Sequence, residues 1–399
     1  PIFSPCSSIH MQVTSDPRPK WLSQADVGSP MIELQGEKIG DVGAVQLAGA
    51  ITENGIGPNL MIFSVPENNI GAVGAEALGG VLGSMVTLED VNVEENPLTP
   101  AGAAALVAHM PSTVLSLQMG RCGMGDEGGL ALAAVLPTLT ALTTLGISDC
   151  EMSTETLCTI CRALPPCVTQ LYMTGNAPIS GDVLDALKES GVVLSAISLG
   201  GGHLVSQEAL SSLSEWVSLS QLEFLDLSEA GIDSEGSVNA LITTLRQSTG
   251  LETLLLNKNN FGEAHGPTVL ECVGSMDNMT MLALASCGLP DRIVEVIRKH
   301  LVGLQELVGI DLSRNELSEQ GLVELASFTG GGETINGVEV MPSLIHLLLD
   351  GNPGMTAEFM ASPIGQTLVD SGSELEEDEY EVHESTFDTE ADSIDSDIE

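Results

Sequence analysis

Cys158-Thr-Ile-Cys161, with Cys167 six residues further on, is the densest group of side chains here that could do chemistry. Two thiols at that spacing can bind a metal or cycle through a disulfide. A structural zinc site needs four ligands, however, and no second cysteine pair or histidine stands at ligand spacing. The stretch around them reads as a helix, so both thiols are expected to face a core. The histidines, among them His109, His203, His265, His300 and His346, are scattered and form no His-Glu-x-x-His pair. No Gly-x-x-x-x-Gly-Lys-Ser/Thr occurs. Pairs such as Gly71/Gly74 and Gly125/Gly128 recur in phase with a leucine pattern, which marks them as turn and helix-entry glycines rather than a phosphate cradle. Carboxylates abound without marking an acid/base pair, because burial decides that function. No residue is assigned a catalytic, cofactor-binding or metal-binding role, and the chain reads as a non-enzyme with no cofactor.

The leucine pattern itself is the stronger signal. Eleven times between Leu60 and Met355 the chain repeats a unit close to Leu-x-x-Leu-x-Leu-x-x-Asn-x-Leu, followed by a short helical pattern. Clear copies are Leu88/Val91/Val93/Asn96/Leu98 and Leu251/Leu254/Leu256/Asn259/Phe261. The copies open at 60, 88, 114, 142, 168, 194, 222, 251, 279, 307 and 344. Self-similarity at such a period indicates a stacked solenoid.

Within one copy, Leu254 and Leu256 face one side of a short strand while Leu255 faces the other. The ninth-position Asn falls where the chain leaves the strand, and its amide can satisfy backbone groups freed by the turn. Cys122, Cys150 and Cys287 take that place in other copies, and Gly202 and Ala230 in two more. The second half of each copy reads as a helix, with Asp233, Ser234 or Ser318 as candidate N-caps and Trp216 in a helix-core position. A weaker copy at Ile32/Leu34/Glu37/Ile39 serves as the N-terminal cap. One long gap, from Thr329 to Ser343, reads as an inserted loop. A single unit cannot bury its own apolar side, so neighbours must stack, with parallel strands on one wall and helices on the other.

This pattern, with its period of 28–29 residues and its Asn/Cys alternation, resembles the ribonuclease-inhibitor class of leucine-rich repeats over about residues 29–369. The resemblance implies an α/β solenoid: a horseshoe of about twelve repeats with a concave parallel sheet and outer helices. Pro1 to Gly28 reads as a flexible lead-in and 370–399 as a disordered acidic tail. A horseshoe followed by an acidic tail is also similar in layout to Ran GTPase-activating proteins. The segment Leu256 to Gly262 resembles that family's Asp-Asn-Ala-Phe-Gly stretch, which implies a small GTPase as an alternative partner. A structural part of a ciliary or cytoskeletal assembly is a third reading.

The 399 residues hold 56 acidic and 12 basic side chains, a formal charge of −44. Fourteen carboxylates fall in 370–399, leaving 42 acidic and 12 basic residues elsewhere. Phosphate neutralisation needs Lys and Arg, so nucleic acid and anionic lipid are disfavoured, and a basic or mixed-charge protein is the expected partner. No run of eighteen apolar residues marks a membrane span. Eight dispersed cysteines and no visible secretory signal suit a cytoplasmic, and also a nuclear, setting. The chain starts at Pro1, which leaves open a fragment or a start at Met11. In the tail, Ser373, Ser385, Thr389 and Ser396 each have an acid three residues later, suiting an acidophilic kinase.

Positions flanking the strand leucines are expected on the concave face. Tyr172, Phe224, Asp226, Leu255, Met281, Asp311, His346, Leu348 and Asp350 combine exposed apolar groups with charge, as a protein-binding surface does. The plain alternative is that the apolar ones pack on one another.

Overall fold

The computed structural model describes residues 19–25, 29–201, 207–217, 221–329, 334–335, 338–339, 341 and 343–366. The acidic tail and most of the N-terminal lead-in lie outside the described residues, as do Cys6, Gly202 and His203. The chain divides into two compact units, the first ending at Leu251 and the second starting at Glu252.

In the first unit, three-residue strands alternate with helices. The strands are β1 (Met31–Glu33), β2 (Ile62–Ser64), β3 (Asp90–Asn92), β4 (Ser116–Gln118), β5 (Thr144–Gly146), β6 (Gln170–Tyr172), β7 (Ala196–Ser198) and β8 (Phe224–Asp226). The helices are α1 (Gly40–Asn54), α2 (Ala72–Leu82), α3 (Thr99–Val107), α4 (Gly125–Val135), α5 (Thr154–Ala163), α6 (Gly181–Ser190), α7 (Gln207–Val217) and α8 (Glu235–Leu245). Each strand pairs in parallel with the next, with Ile32, Phe63, Val91, Leu117, Leu145, Leu171, Ile197 and Leu225 in register.

The second unit repeats the plan. It contains β9 (Thr253–Leu255), α9 (Gly262–Val273), β10 (Met281–Ala283), α10 (Arg292–His300), β11 (Gly309–Asp311), α11 (Glu319–Thr329), the short β12 (Thr334–Ile335) and β13 (Val338–Glu339), β14 (His346–Leu348) and α12 (Ala357–Met360). Strands β9, β10, β11 and β14 are parallel neighbours in that order. The stretch expected as a plain loop carries β12 and β13, paired antiparallel through Thr334↔Glu339 and Ile335↔Val338.

The alternation explains the burial. The central residue of each parallel strand is buried against the helices, while its two neighbours project from the opposite, open face. Leu60, Phe63, Val65, Ile70 and Leu82 are all fully enclosed, as are Leu88, Val91, Val93 and Leu98 in the next repeat. Each such side chain contributes roughly 1.5–3 kcal/mol relative to exposure. Trp216 is 1% exposed and packs as the sequence predicts. So do Cys158 and Cys161, which sit buried and unpaired on α5.

The ninth position stitches one repeat to the next. Asn96 donates to the carbonyls of Val65 (2.9 Å) and Val93 (2.9 Å), and its oxygen accepts from the amides of Asn68 (3.0 Å) and Ile70 (2.9 Å). Asn176 and Asn315 bridge their preceding repeats in the same way. A cysteine makes only the donor half: the thiols of Cys122 and Cys150 reach Val93 O and Met119 O, each at 3.1 Å. Burial pushes these thiols up, Cys150 to about 12.

Some acids are structural. Asp41, on α1, accepts from the amides of Gly71 (2.7 Å) and Gly74 (2.9 Å) at the start of α2. Asp126 serves α5 through Ser153 N (2.8 Å) and the Thr156 hydroxyl (2.6 Å), and Asp291 serves Ser318 N (2.7 Å) ahead of α11. The free amides and dipole of a helix N-terminus favour a carboxylate there. Ser234 caps α8 with a reciprocal box to Ser237, as expected; Asp233 does not cap.

Part of the stretch expected to be flexible is ordered. Lys20–Ala25 forms a 3-10 turn with Leu22 and Ala25 buried. The Trp21 ring lies over Gly43, where an added Cβ would stand 3.2 Å from it. An indole needs cover, and a glycine on α1 leaves room for it.

Candidate functional site

Every repeat leaves its strand through a left-handed turn. The residue just before the ninth position has φ between 51° and 71° at Gly36, Glu67, Glu95, Arg121, Asp149, Gly175, Gly201 and Glu229 in the first unit. Lys258, Ser286, Arg314 and Gly351 take this place in the second. A non-glycine residue there costs about 1–2 kcal/mol. The ladder offsets it, because each amide still bonds the next repeat: Glu95 N to Gly120 O and Arg121 N to Ser148 O, at 3.0 and 2.9 Å. The side chains therefore line a rim beside the open face. In the first unit that rim is mainly acidic, and its one cation, Arg121, is held by Glu95 at 2.7 Å and Asp149 at 3.5 Å.

On the open face of the first unit, Tyr172 of β6 and Phe224 of β8 reach across β7. Their ring centroids are 6.1 Å apart at 70°, an edge-to-face contact. The residues they span on β7, Ala196 and Ser198, are small and buried. Both aromatics remain half-exposed, whereas Phe63, Phe261 and Trp216 are enclosed. Burial raises the Tyr172 phenol above its ordinary range.

Asp226 lies in the same region but is not offered to solvent. It is 6% exposed, accepts from the Ser198 hydroxyl at 2.5 Å and from the Ser228 amide at 2.8 Å, and burial raises its carboxyl. The Thr174 hydroxyl continues this chain to Ser198. Asp311 does the equivalent job in the second unit, accepting from Ser313 N at 2.8 Å. Burial first, and the like charge of Asp350 to a smaller degree, raise Asp311. Both aspartates close the turn after their strand, as Asn92 does for Glu94 N at 3.0 Å.

Three structural facts point one way: parallel three-residue strands, helices on one wall, and an Asn/Cys ladder between repeats. A Leucine Rich repeat family profile matches residues 111–133. The fold is a leucine-rich-repeat solenoid, and the chain is similar to proteins of the ribonuclease-inhibitor type. It is 23% identical over 268 residues to the pig (Sus scrofa) ribonuclease inhibitor, covering 66% of this chain and 54% of that protein. It is 26% identical over 320 residues to the mouse (Mus musculus) Tonsoku-like protein, covering 77% of this chain and 20% of that one. The chain thus spans about half of the first relative and a fifth of the second. Among solved structures it is similar to an internalin from Listeria monocytogenes (14% identity, TM-score 0.45, 86% and 85% of the two chains). It is also similar to LegL7 from Legionella pneumophila (18% identity, TM-score 0.42, 86% and 96%). Leucine-rich-repeat proteins are generally protein-interaction scaffolds and are typically not enzymes.

The expected surface residues divide into two sets. Tyr172, Phe224 and Asp226 belong to the first unit, and Leu255, Met281, Asp311, His346, Leu348 and Asp350 to the second. The apolar exposure expected at Leu255 and Met281 is a correction: both are only 8% exposed, because three-residue strands bring open-face side chains into mutual cover. His346 is equally enclosed, Leu348 is half-buried, and Asp350 is exposed. Asn259, in the segment compared with GTPase activators, is fully buried and donates to Leu256 O at 3.0 Å, so it serves the turn of the repeat.

Among the described residues no group of three or more His, Cys, Asp or Glu is placed to hold a metal ion, and no helix is long and apolar enough to cross a membrane. The acidic rim was missed from sequence. Its signal was there to read: an acid precedes the ninth residue at Glu67, Glu95, Asp149 and Glu229.

Proposed function

We propose that this chain is a non-catalytic scaffold that holds a basic or mixed-charge protein against the open face of its sheet. The observation that carries the reading is the Tyr172–Phe224 pair. A chain with few aromatic residues keeps two of them half-exposed, joined edge to face, beside an acidic rim. Tyrosine and other large rigid rings dominate binding energy at protein interfaces, and charge at the rim steers encounter. The leucine-rich-repeat fold supports the same use, since its relatives are generally interaction scaffolds.

The test is affinity capture from cell extract with wild type, Tyr172→Ala/Phe224→Ala, and an outer-helix control, Glu76→Ala. The double variant is expected to lose the captured proteins that the control keeps, at unchanged melting temperature. Capture by wild type should fall as salt rises from 50 to 300 mM, on the order of a Debye-screened interaction. Unchanged capture by the double variant would reject the open face as the binding surface.

A further inference from the structure

In the second unit one rule governs the main-chain bonds between repeats. Two amides of each repeat donate to the next: Leu256 N to Ala283 O (2.9 Å) and Lys258 N to Ala285 O (2.7 Å), then Leu284 N to Asp311 O (2.8 Å) and Ser286 N to Ser313 O (2.9 Å). Leu312 N to Leu348 O (2.9 Å) and Arg314 N to Asp350 O (2.6 Å) complete the series. One carbonyl of each repeat accepts twice in return. Glu252 O accepts from Thr280 N and Met281 N, Thr280 O from Val308 N and Gly309 N, and Val308 O from Ile345 N and His346 N.

At β14 the series stops. The strand pairs with β11 on one side and is the last in the strand order. By register, its groups for a following strand are the amides of Leu349 and Gly351 and the carbonyl of Ile345. Among the described residues none of the three has a hydrogen-bond partner. Leu349 is otherwise enclosed, and an amide left without an acceptor in such a place is costly.

A second observation concerns the side chains of the same repeat. Ile345, which owns that carbonyl, is 57% exposed, and Met360 and Ile364 are exposed as well. The end repeat of a solenoid ordinarily turns a polar face outward, and this one keeps apolar groups there. The charge is one-sided. Apart from His346, the ionisable side chains from Ser343 to Gln366 are Asp350 and Glu358, both exposed. Residues 370–399 add fourteen carboxylates and no Lys or Arg.

We propose that β14 accepts, as its next strand, an extended segment of another protein in which apolar residues alternate with lysine or arginine. The segment's carbonyls accept from Leu349 N and Gly351 N, its amides donate to Ile345 O, and an apolar residue covers the Ile345 side chain. Main-chain pairing supplies affinity in this mode, and flanking side chains select the segment. Charge selects against the acidic end of this chain and against a second copy, since either brings carboxylates up to Asp350 and Glu358. This edge belongs to the second unit, and the inference goes beyond the open-face reading without depending on it.

The test uses the full chain and a fluorescein-labelled peptide of alternating lysine and valine, followed by anisotropy. Its fully N-methylated form lacks main-chain donors, and a glutamate-valine counterpart reverses the charge. Only the lysine-valine peptide is expected to bind saturably and to slow amide exchange over residues 345–351. Ile345→Lys, a change at an exposed side chain, should weaken binding about tenfold, by removing apolar cover and adding like charge. Val193→Lys, at an exposed position of the first unit, and Tyr172→Ala/Phe224→Ala should leave it unchanged. Absence of binding, equal binding of the N-methylated or glutamate peptide, or indifference to Ile345→Lys would overturn the proposal. So would wild-type self-association in sedimentation velocity that Ile345→Lys abolishes, because a second copy would then own the edge.

Discussion

The carboxamide of Gln24 makes both main-chain hydrogen bonds to Glu33 that a neighbouring strand would make. Its nitrogen donates to the Glu33 carbonyl at 2.8 Å, and its oxygen accepts from the Glu33 amide at 2.7 Å. The Ser29 hydroxyl treats Met31 alike, donating to its carbonyl at 2.6 Å and accepting from its amide at 3.3 Å. Met31 and Glu33 are the residues of β1 whose polar groups point away from β2, so two side chains close the outer edge of that sheet.

An open edge is a template for another strand. Gln24→Ala/Ser29→Ala should therefore self-associate with rising concentration where wild type does not, as read by sedimentation velocity, and lose about 1–2 kcal/mol of stability. A double variant that sediments as wild type does would show that these bonds do not guard the edge.

The ladder residue predicts a graded series. Asn96→Ala leaves the carbonyl of Val65 and the amides of Asn68 and Ile70 without their partner, and the carbonyl of Val93 with the Cys122 thiol in place of two donors. The expected loss is about 3 kcal/mol or more, since each unmet buried group costs roughly 1–3 kcal/mol. Asn96→Cys should cost less, because a thiol at this position still donates, as Cys122 does to Val93 O. Urea unfolding of the three proteins checks the order.

Asp226 predicts a pH effect with a definite sign. Burial holds its carboxyl above the ordinary aspartate range. A group raised on folding contributes its full stability below about pH 4, where both states are protonated, and loses it as pH climbs through the folded-state value. Asp226→Asn keeps an acceptor for Ser228 N, as Asn92 does for Glu94 N. Melting temperatures from pH 4 to 7 should fall less steeply in the variant, which should be at least as stable as wild type at pH 7. A parallel fall in both proteins would remove Asp226 as the cause.

The thiols predict an order of alkylation. Cys167 is partly exposed, whereas Cys122, Cys150, Cys161 and Cys287 are buried, with Cys150 and Cys287 pushed up to about 12. Only the thiolate reacts, so at pH 8 Cys167 should be modified first among these five and the buried thiols only on unfolding. Peptide mass spectrometry follows each site. Early labelling of Cys161 would contradict a core role for the Cys158–Cys161 pair.

Much of this molecule was legible from residue order because the information is local and repeated. A strand alternates with period two, so Leu254 and Leu256 must share a face. A turn after each strand needs a polar bridge, so Asn96 and Asn315 mark where it lies. Recurrence then supplied the stacking, because a unit with one apolar side needs a neighbour. The same logic placed Trp216 in the core and named the open-face positions.

What order along the chain could not decide is which open-face residues touch, because that depends on the sizes of side chains on intervening strands. Small residues at Ala196 and Ser198 let Tyr172 and Phe224 meet across β7. Mutual cover closed Leu255 and Met281, which alternation alone had left exposed. The lean of Asp149 over Gly175 is likewise a matter of three dimensions, since only packing shows that a missing Cβ in one turn makes room for a carboxylate from the turn before. Periodicity fixes the face on which a side chain stands; its exposure and its company follow from what the adjoining repeats leave unfilled.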